Sequence, residues 1–223
     1  MYPKKVTDTS EDFWRMDMMK PEKEYLKSLI EITRRLFDEF EYPALDLSTA
    51  EISYIPTKKR TDMGLKMGLD GLAEMKKYRV KESSKIRSNC KFYQKFYKIN
   101  GKIAEIESFI GGHDRMAGSY IAYYEENYRY LFPFYYDAQK AVGRYIYVTY
   151  FEDNRVMEEY MVGQNQIVYD RYQYSDGGKV GYYCINYVPS GKYPVLGESR
   201  GYYLSDSLEY VQEECYAWYQ DMQ

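Results

Sequence analysis

With one histidine in 223 residues, the chain cannot build a metal site on two histidines. His113 sits in "GGHDR", which is good turn chemistry. A Ser or Cys nucleophile served by His113 and a carboxylate survives the count. No GxSxG motif accompanies it, however, and His113 reads as a loop residue. Cysteine is nearly as scarce. Cys90, Cys184 and Cys215 are far apart, odd in number and form no CxxC, so neither a disulfide framework nor a zinc site is supported. Reduced thiols in a cytoplasm are the expectation. No apolar run approaches the roughly 18 residues of a membrane span. "MYPKKVTDTSEDFW" has no apolar stretch behind its lysines to make a signal peptide. "GLDGLAE" and "SDGGKVG" match neither the Walker nor the dinucleotide glycine pattern. No cofactor, no metal and no membrane are expected. Carboxylate pairs exist at Glu125–Glu126 and Glu158–Glu159, but neighbours on a strand face opposite ways, so neither pair alone makes a glycosidase dyad.

What is present is charge asymmetry and tyrosine. Residues 1–119 carry 23 Lys+Arg against 19 Asp+Glu, whereas residues 120–223 carry 8 against 15. The basic excess concentrates in residues 76–102, with ten Lys+Arg and one acid, Glu82. Of the 30 tyrosines, 23 lie between 120 and 219, and "YIAYYEENYRYLFPFYY" (residues 120–136) alone holds seven. Hydrophobic residues make up 45% and charged residues 29%, which fits an ordered globular fold.

The first 84 residues read as mainly helical. Ser10 suits the cap of a short helix through "EDFWRMDMM". Pro21 suits the first turn of a second helix, in which Leu26, Leu29, Ile30, Leu36, Phe37 and Phe40 recur at helical spacing. "AEISYIP" reads as a short strand, and "TDMGLKMGLDGLAEMKKY" as a weaker helix carrying Gly64, Gly68 and Gly71. From about residue 85 the apolar period becomes two. Asn100-Gly101 is a strong hairpin signal, and Asp153-Asn154 and Gly177-Gly178 recur in the same grammar. Strands are expected near 86–98, 102–110, 117–124, 128–136, 144–152, 155–162, 166–174 and 179–188. Near the C-terminus, Asp206 and Glu209 form a capping box, and Leu208, Val211, Cys215, Trp218 and Met222 make an amphipathic helical stripe.

The fold class expected is therefore α+β, with two parts (1–84 and 85–223) in one continuous unit. A helical N-terminal region precedes a large curved antiparallel meander, open or partly closed into a barrel, and a C-terminal helix packs on it. Tyr128, Tyr130, Phe132, Phe134 and Tyr136 share one side of their strand by parity. Unburied, they would form a larger apolar patch than a soluble monomer tolerates, so this side is expected to be packed under the C-terminal helix.

Phenols suit half-buried sheet faces, because the ring is apolar and the OH reaches water or a carbonyl. They are also favoured contacts at protein interfaces. Strands with phenols on both faces offer the binding candidates Tyr145, Tyr147, Tyr169 and Tyr183. A second candidate set comes from the basic stretch. Read as a strand, it places Arg87, Lys91, Tyr93, Lys95 and Tyr97 on one face, a pattern suited to single-stranded nucleic acid or another polyanion. The sequence pI near 5.5 argues against nucleic acid, and lysines that guard an edge or pair with acids of neighbouring strands explain the same pattern. The functional expectation is a non-enzymatic cytoplasmic binding protein whose acidic, tyrosine-rich sheet meets another protein. A bacterial immunity or inhibitor protein would have such a surface. The alternatives are a small-molecule or glycan binder with a tyrosine-lined cup, and a polyanion binder using residues 76–102.

Overall fold

The computed structural model describes residues 21–57, 65, 80–111, 116–136, 145–163, 166–174, 179–189, 195–204 and 210–220. They form one helix and eleven strands. Helix α1 is Lys23–Glu39. The strands are β1 (Glu51–Pro56), β2 (Phe92–Ile99), β3 (Lys102–Ile110), β4 (Met116–Glu125), β5 (Tyr128–Tyr136), β6 (Ile146–Glu152), β7 (Arg155–Val162), β8 (Ile167–Tyr174), β9 (Lys179–Tyr187), β10 (Val195–Leu204) and β11 (Tyr210–Gln220). They pair in sequence order as a single antiparallel sheet. The order is linear and the sheet is open, so the partly closed barrel is not what forms.

Two turns show why the hairpins close where they do. Asn100 (φ 52°) and Gly101 (φ 77°) both adopt left-handed backbone, as do Asp153 (φ 49°) and Asn154 (φ 61°). Two such residues in a row match the right-handed twist of the flanking strands. The short polar side chains of Asn and Asp tolerate that conformation, and glycine adopts it freely.

Two sequence expectations need correction. The strand expected from residue 86 begins at Phe92, because Ser88-Asn89 turn and Cys90 N donates to Arg87 O at 2.9 Å. Within the first 84 residues, the described helix is α1 alone, followed by β1 as a strand of the sheet. The expected helices over "EDFWRMDMM" and "TDMGLKMGLDGLAEMKKY", like His113, Gly177-Gly178 and the Asp206–Glu209 box, lie outside the described residues. Residues 210–220 run as β11 against β10, and Leu208 and Met222 of the expected C-terminal helical stripe lie outside the described residues. The segment is rich in Tyr, Trp, Val and Cys, which fit a pleated surface, and a short apolar run satisfies both periods.

The sheet carries a core on each face. Leu26, Leu29, Ile30 and Thr33 form the buried stripe of α1. The three apolar residues of that stripe pack on Tyr130, Phe132, Val148, Tyr160, Tyr169 and Ile185 of β5 to β9. On the opposite face Ile55, Phe96, Ile106, Tyr120, Leu131 and Tyr147 pack with Leu65 and Val80. Strand alternation separates the two sets: Tyr130 and Phe132 face α1 while Leu131 faces Leu65. Helix α1 thus covers the aromatic ladder.

Candidate functional site

Along β5 the rings of Tyr128, Tyr130 and Phe132 stack in sequence, at centroid distances of 5.9 and 5.7 Å. Tyr130 and Phe132 are buried, as parity requires. The ladder then breaks. Ser119 pairs with Tyr135 and Tyr120 with Pro133, so Phe134 is the extra residue of a β-bulge. The expectation that Phe134 is packed fails there, and the side chain of Tyr136 lies outside the described residues. Phe134 is 58% exposed.

The exposed ring has a rigid support. Tyr42, in the segment after α1, lies against Phe134 at 5.1 Å and donates from its OH to Pro133 O at 2.6 Å. Behind Tyr42 stands Phe40 at 5.0 Å, and Phe40 rests on Phe132 at 4.5 Å and on Tyr123 at 5.5 Å. Tyr42 is itself 37% exposed. Burial raises its phenol pKa above the usual value, so the OH stays a donor at any physiological pH. Two large aromatics thus stand in solvent on a buried aromatic column.

A polar clasp fixes α1 over the sheet. Tyr25 OH donates to Glu158 Oε2 at 2.8 Å, and Arg171 donates to Glu158 Oε1 from Nη2 at 2.8 Å and from Nε at 3.2 Å. Burial pushes the Tyr25 phenol pKa up and the Glu158 carboxylate raises it further. At the far end of the helix Arg34 donates to Gly163 O at 3.0 Å.

Glu159 turns to the opposite face, as expected for neighbours on a strand. There a row crosses the sheet: Arg129 pairs with Thr149, Thr149 with Glu159, and Glu159 with Asp170. All four are buried. Arg129 Nη2 donates to Thr149 Oγ1 at 2.8 Å and to Leu65 O at 3.0 Å. Burial pulls the Arg129 guanidinium pKa down and the Glu159 carboxylate pushes it back up. The space between Leu65, Thr149 and Glu159 does not admit a water molecule.

The residues singled out in the sequence are scattered. Tyr169 and Tyr183 lie in the core under α1, and Tyr147 in the core of the opposite face, with its ring edge-on to Tyr120 at 5.6 Å. Tyr145 is half-buried and accepts a hydrogen bond from Gln166 Nε2 at 3.1 Å. Of the basic set, Tyr93 is buried and stacked on Phe109 at 4.6 Å. Lys95 donates to Tyr97 OH, which donates to Glu107 Oε2 at 2.8 Å, and Lys95 lies 3.6 Å from that carboxylate. Arg87 and Lys91 are exposed ahead of β2. Sequence reasoning missed Tyr42, which belongs to no periodic segment, and misplaced Phe134, because a bulge leaves no mark on alternation. It also missed the Arg129 row, whose members meet only through register.

Comparison with protein-family models, with curated proteins and with solved structures finds no match for this chain. Among the described residues Cys90 and Cys184 form no disulfide. Among the described residues no group of three or more His, Cys, Asp or Glu could hold a metal ion, and no helix is long and apolar enough to cross a membrane.

Proposed function

We propose that the protein is a non-enzymatic binding protein that meets another protein with the aromatic surface of its sheet, and that the contact is anchored on Phe134 and Tyr42. The observation that carries this reading is Phe134, 58% exposed at a β-bulge and backed by Tyr42. Exposing a large apolar ring on a rigid support has no packing benefit for the free chain. It does supply a pre-organised interface anchor, which loses little side-chain entropy on binding. The acidic balance of residues 120–223 favours a basic partner, as for an inhibitor of a basic protein.

Replacing Phe134 with the photo-reactive p-benzoylphenylalanine and irradiating cells that make the chain tests the reading. One discrete polypeptide adduct is expected, lost when Tyr42→Ala is added. A folded variant that forms no protein adduct would overturn it.

A second reading, a small-molecule or glycan binder, is supported by the buried row Arg129, Thr149, Glu159 and Asp170. It requires Leu65 to move off the row, since the space between Leu65, Thr149 and Glu159 does not admit a water molecule. A thermal-shift screen of sugars and small anions, with Arg129→Lys as the control, tests it. No shift with any of them counts against it.

A further inference from the structure

The described cations of the basic stretch fall into two kinds. Three are engaged. Lys95 lies 3.6 Å from Glu107, Lys98 is bonded to Glu82, and Lys102 stands over the Tyr124 ring at 5.2 Å. The other four, Lys81, Lys85, Arg87 and Lys91, are exposed. Among the described residues these four make no ion pair.

All four lie on one strap, residues 80–91, whose backbone is tied down. Tyr54 N donates to Ser83 O at 2.8 Å, and Ser83 N donates back to Tyr54 O at 3.0 Å. Lys85 N donates to Ser83 Oγ at 3.3 Å, Cys90 N to Arg87 O at 2.9 Å, and Gly111 N to Lys91 O at 2.7 Å. Lys85 and Arg87 are two residues apart, at most about 7 Å along the chain, which is inside the Debye length of about 8 Å at physiological salt. The backbone bonds therefore hold like charges together that would otherwise spread apart, and a polyanion would relieve that repulsion.

The rest of the strap narrows the class of polyanion. It contains no aromatic residue, Val80 is buried and Ile86 is half-buried. It thus exposes no large apolar side chain to anchor a protein interface or to enter a bilayer, and no ring on which a base could stack. What it does expose is cations interleaved with the polar residues Ser84 and Asn89, the side-chain types that contact phosphate oxygens. We propose that the strap docks on the phosphate backbone of a nucleic-acid duplex, through charge and without reading sequence. A duplex is favoured over a single strand because its charge density is higher and the strap offers nothing to stacking. The sequence pI near 5.5 belongs to the whole chain, whereas a phosphate responds to charges within about a Debye length. The strap's own acid, Glu82, is held by Lys98, and Glu51, exposed at the start of β1, is bonded to none of the four cations. These residues are separate from the Tyr42–Phe134 anchor, and failure here would leave that reading standing.

Fluorescence anisotropy of a labelled DNA duplex of mixed sequence, titrated with the full chain, tests the inference. Binding should weaken on the order of 100-fold between about 50 and 200 mM salt, because four phosphate contacts give log K against log salt a slope of about −3.6. A duplex of unrelated sequence should bind equally. The matching single strand should bind more weakly, with a slope of about −2.8. Lys85→Glu/Arg87→Glu should weaken duplex binding by more than about tenfold, and Lys81→Glu/Lys91→Glu should do the same. Lys27→Glu/Arg35→Glu on α1 changes the net charge equally and should bind as wild type does. Circular dichroism and melting temperature verify that each variant is folded. A wild type that binds no duplex at about 50 mM salt would overturn the inference, as would equal losses in the α1 variant or tighter binding of the single strand. Strap variants that self-associate, with no duplex binding by the wild type, would show that the cations guard the sheet edge instead. Co-sedimentation with phosphatidylserine–phosphatidylcholine vesicles at a salt concentration where the duplex does not bind would also overturn it, in favour of a membrane surface.

Discussion

Phe132 is fully buried while Phe134, two residues on, stands 58% exposed, and mutation should separate them sharply. Phe132→Ala removes a ring packed against Phe37, Phe40, Tyr123 and Tyr130, and should cost about 3–5 kcal/mol. Phe134→Ala removes a ring whose recorded contact is Tyr42 and should cost under about 1 kcal/mol. Urea unfolding monitored by circular dichroism gives both values. Similar losses at the two sites would mean that Phe134 is packed and not exposed. The contrast also marks the limit of the sequence at this scale. Alternation places Tyr130, Phe132 and Phe96 correctly in the core, because parity is a local property. A one-residue insertion in pairing depends on what lies across the strand, and alternation alone cannot tell that Phe134 stands exposed.

At the scale of elements, α1 turns the tyrosine bed beneath it into a set of silent phenols. Tyr160, Tyr169, Tyr183 and Tyr25 all have pKa values raised first of all by burial, and that of Tyr130 is pushed up to about 12. A phenol ordinarily ionises near pH 10. The folded chain holds these protons longer than the unfolded chain does. Stability is therefore whole below about pH 10 and falls as pH climbs from there through the folded value of about 12 for Tyr130. Absorbance at 295 nm should show one group of tyrosines titrating near pH 10 and another appearing only as the circular dichroism signal is lost. A single smooth titration that is complete before unfolding would place the bed in solvent. The elements themselves were largely legible. The amphipathic stripe of α1 and the Asn100-Gly101 and Asp153-Asn154 turns are short-range signals, and the strands from β3 to β9 follow within a residue or two. What lay out of reach was which helix covers which strands. Tyr25 and Glu158 are 133 residues apart, and no local pattern joins them.

For the whole molecule, the two cores share only a small part of the sheet. Among the described residues, β5 and β6 feed both: Tyr130, Phe132, Ile146 and Val148 toward α1, and Leu131 and Tyr147 toward Leu65. Each other described strand with core residues gives buried residues to one cluster, with Tyr123 of β4 and Met161 of β7 packing, partly buried, against the other. An open meander pairs each strand only with its sequence neighbours, so its ends can fray without breaking the middle. The centre differs, because loosening β5 or β6 uncovers apolar surface on both faces at once. The Arg129–Thr149 bond adds to this, since opening β5 from β6 would strand a buried guanidinium. Amides of β5 and β6 should therefore exchange with solvent only through global unfolding, whereas those of β1 should exchange earlier, through detachment of the edge. Hydrogen–deuterium exchange with peptide-level mass spectrometry gives the order directly. Protection of β1 equal to that of β5 and β6 would mean that the Ser83 strap locks the edge as firmly as the double core locks the centre. Early exchange in β5 or β6 would mean that the two cores are not held together through these strands, and the sheet would have to be regarded as two halves that open separately.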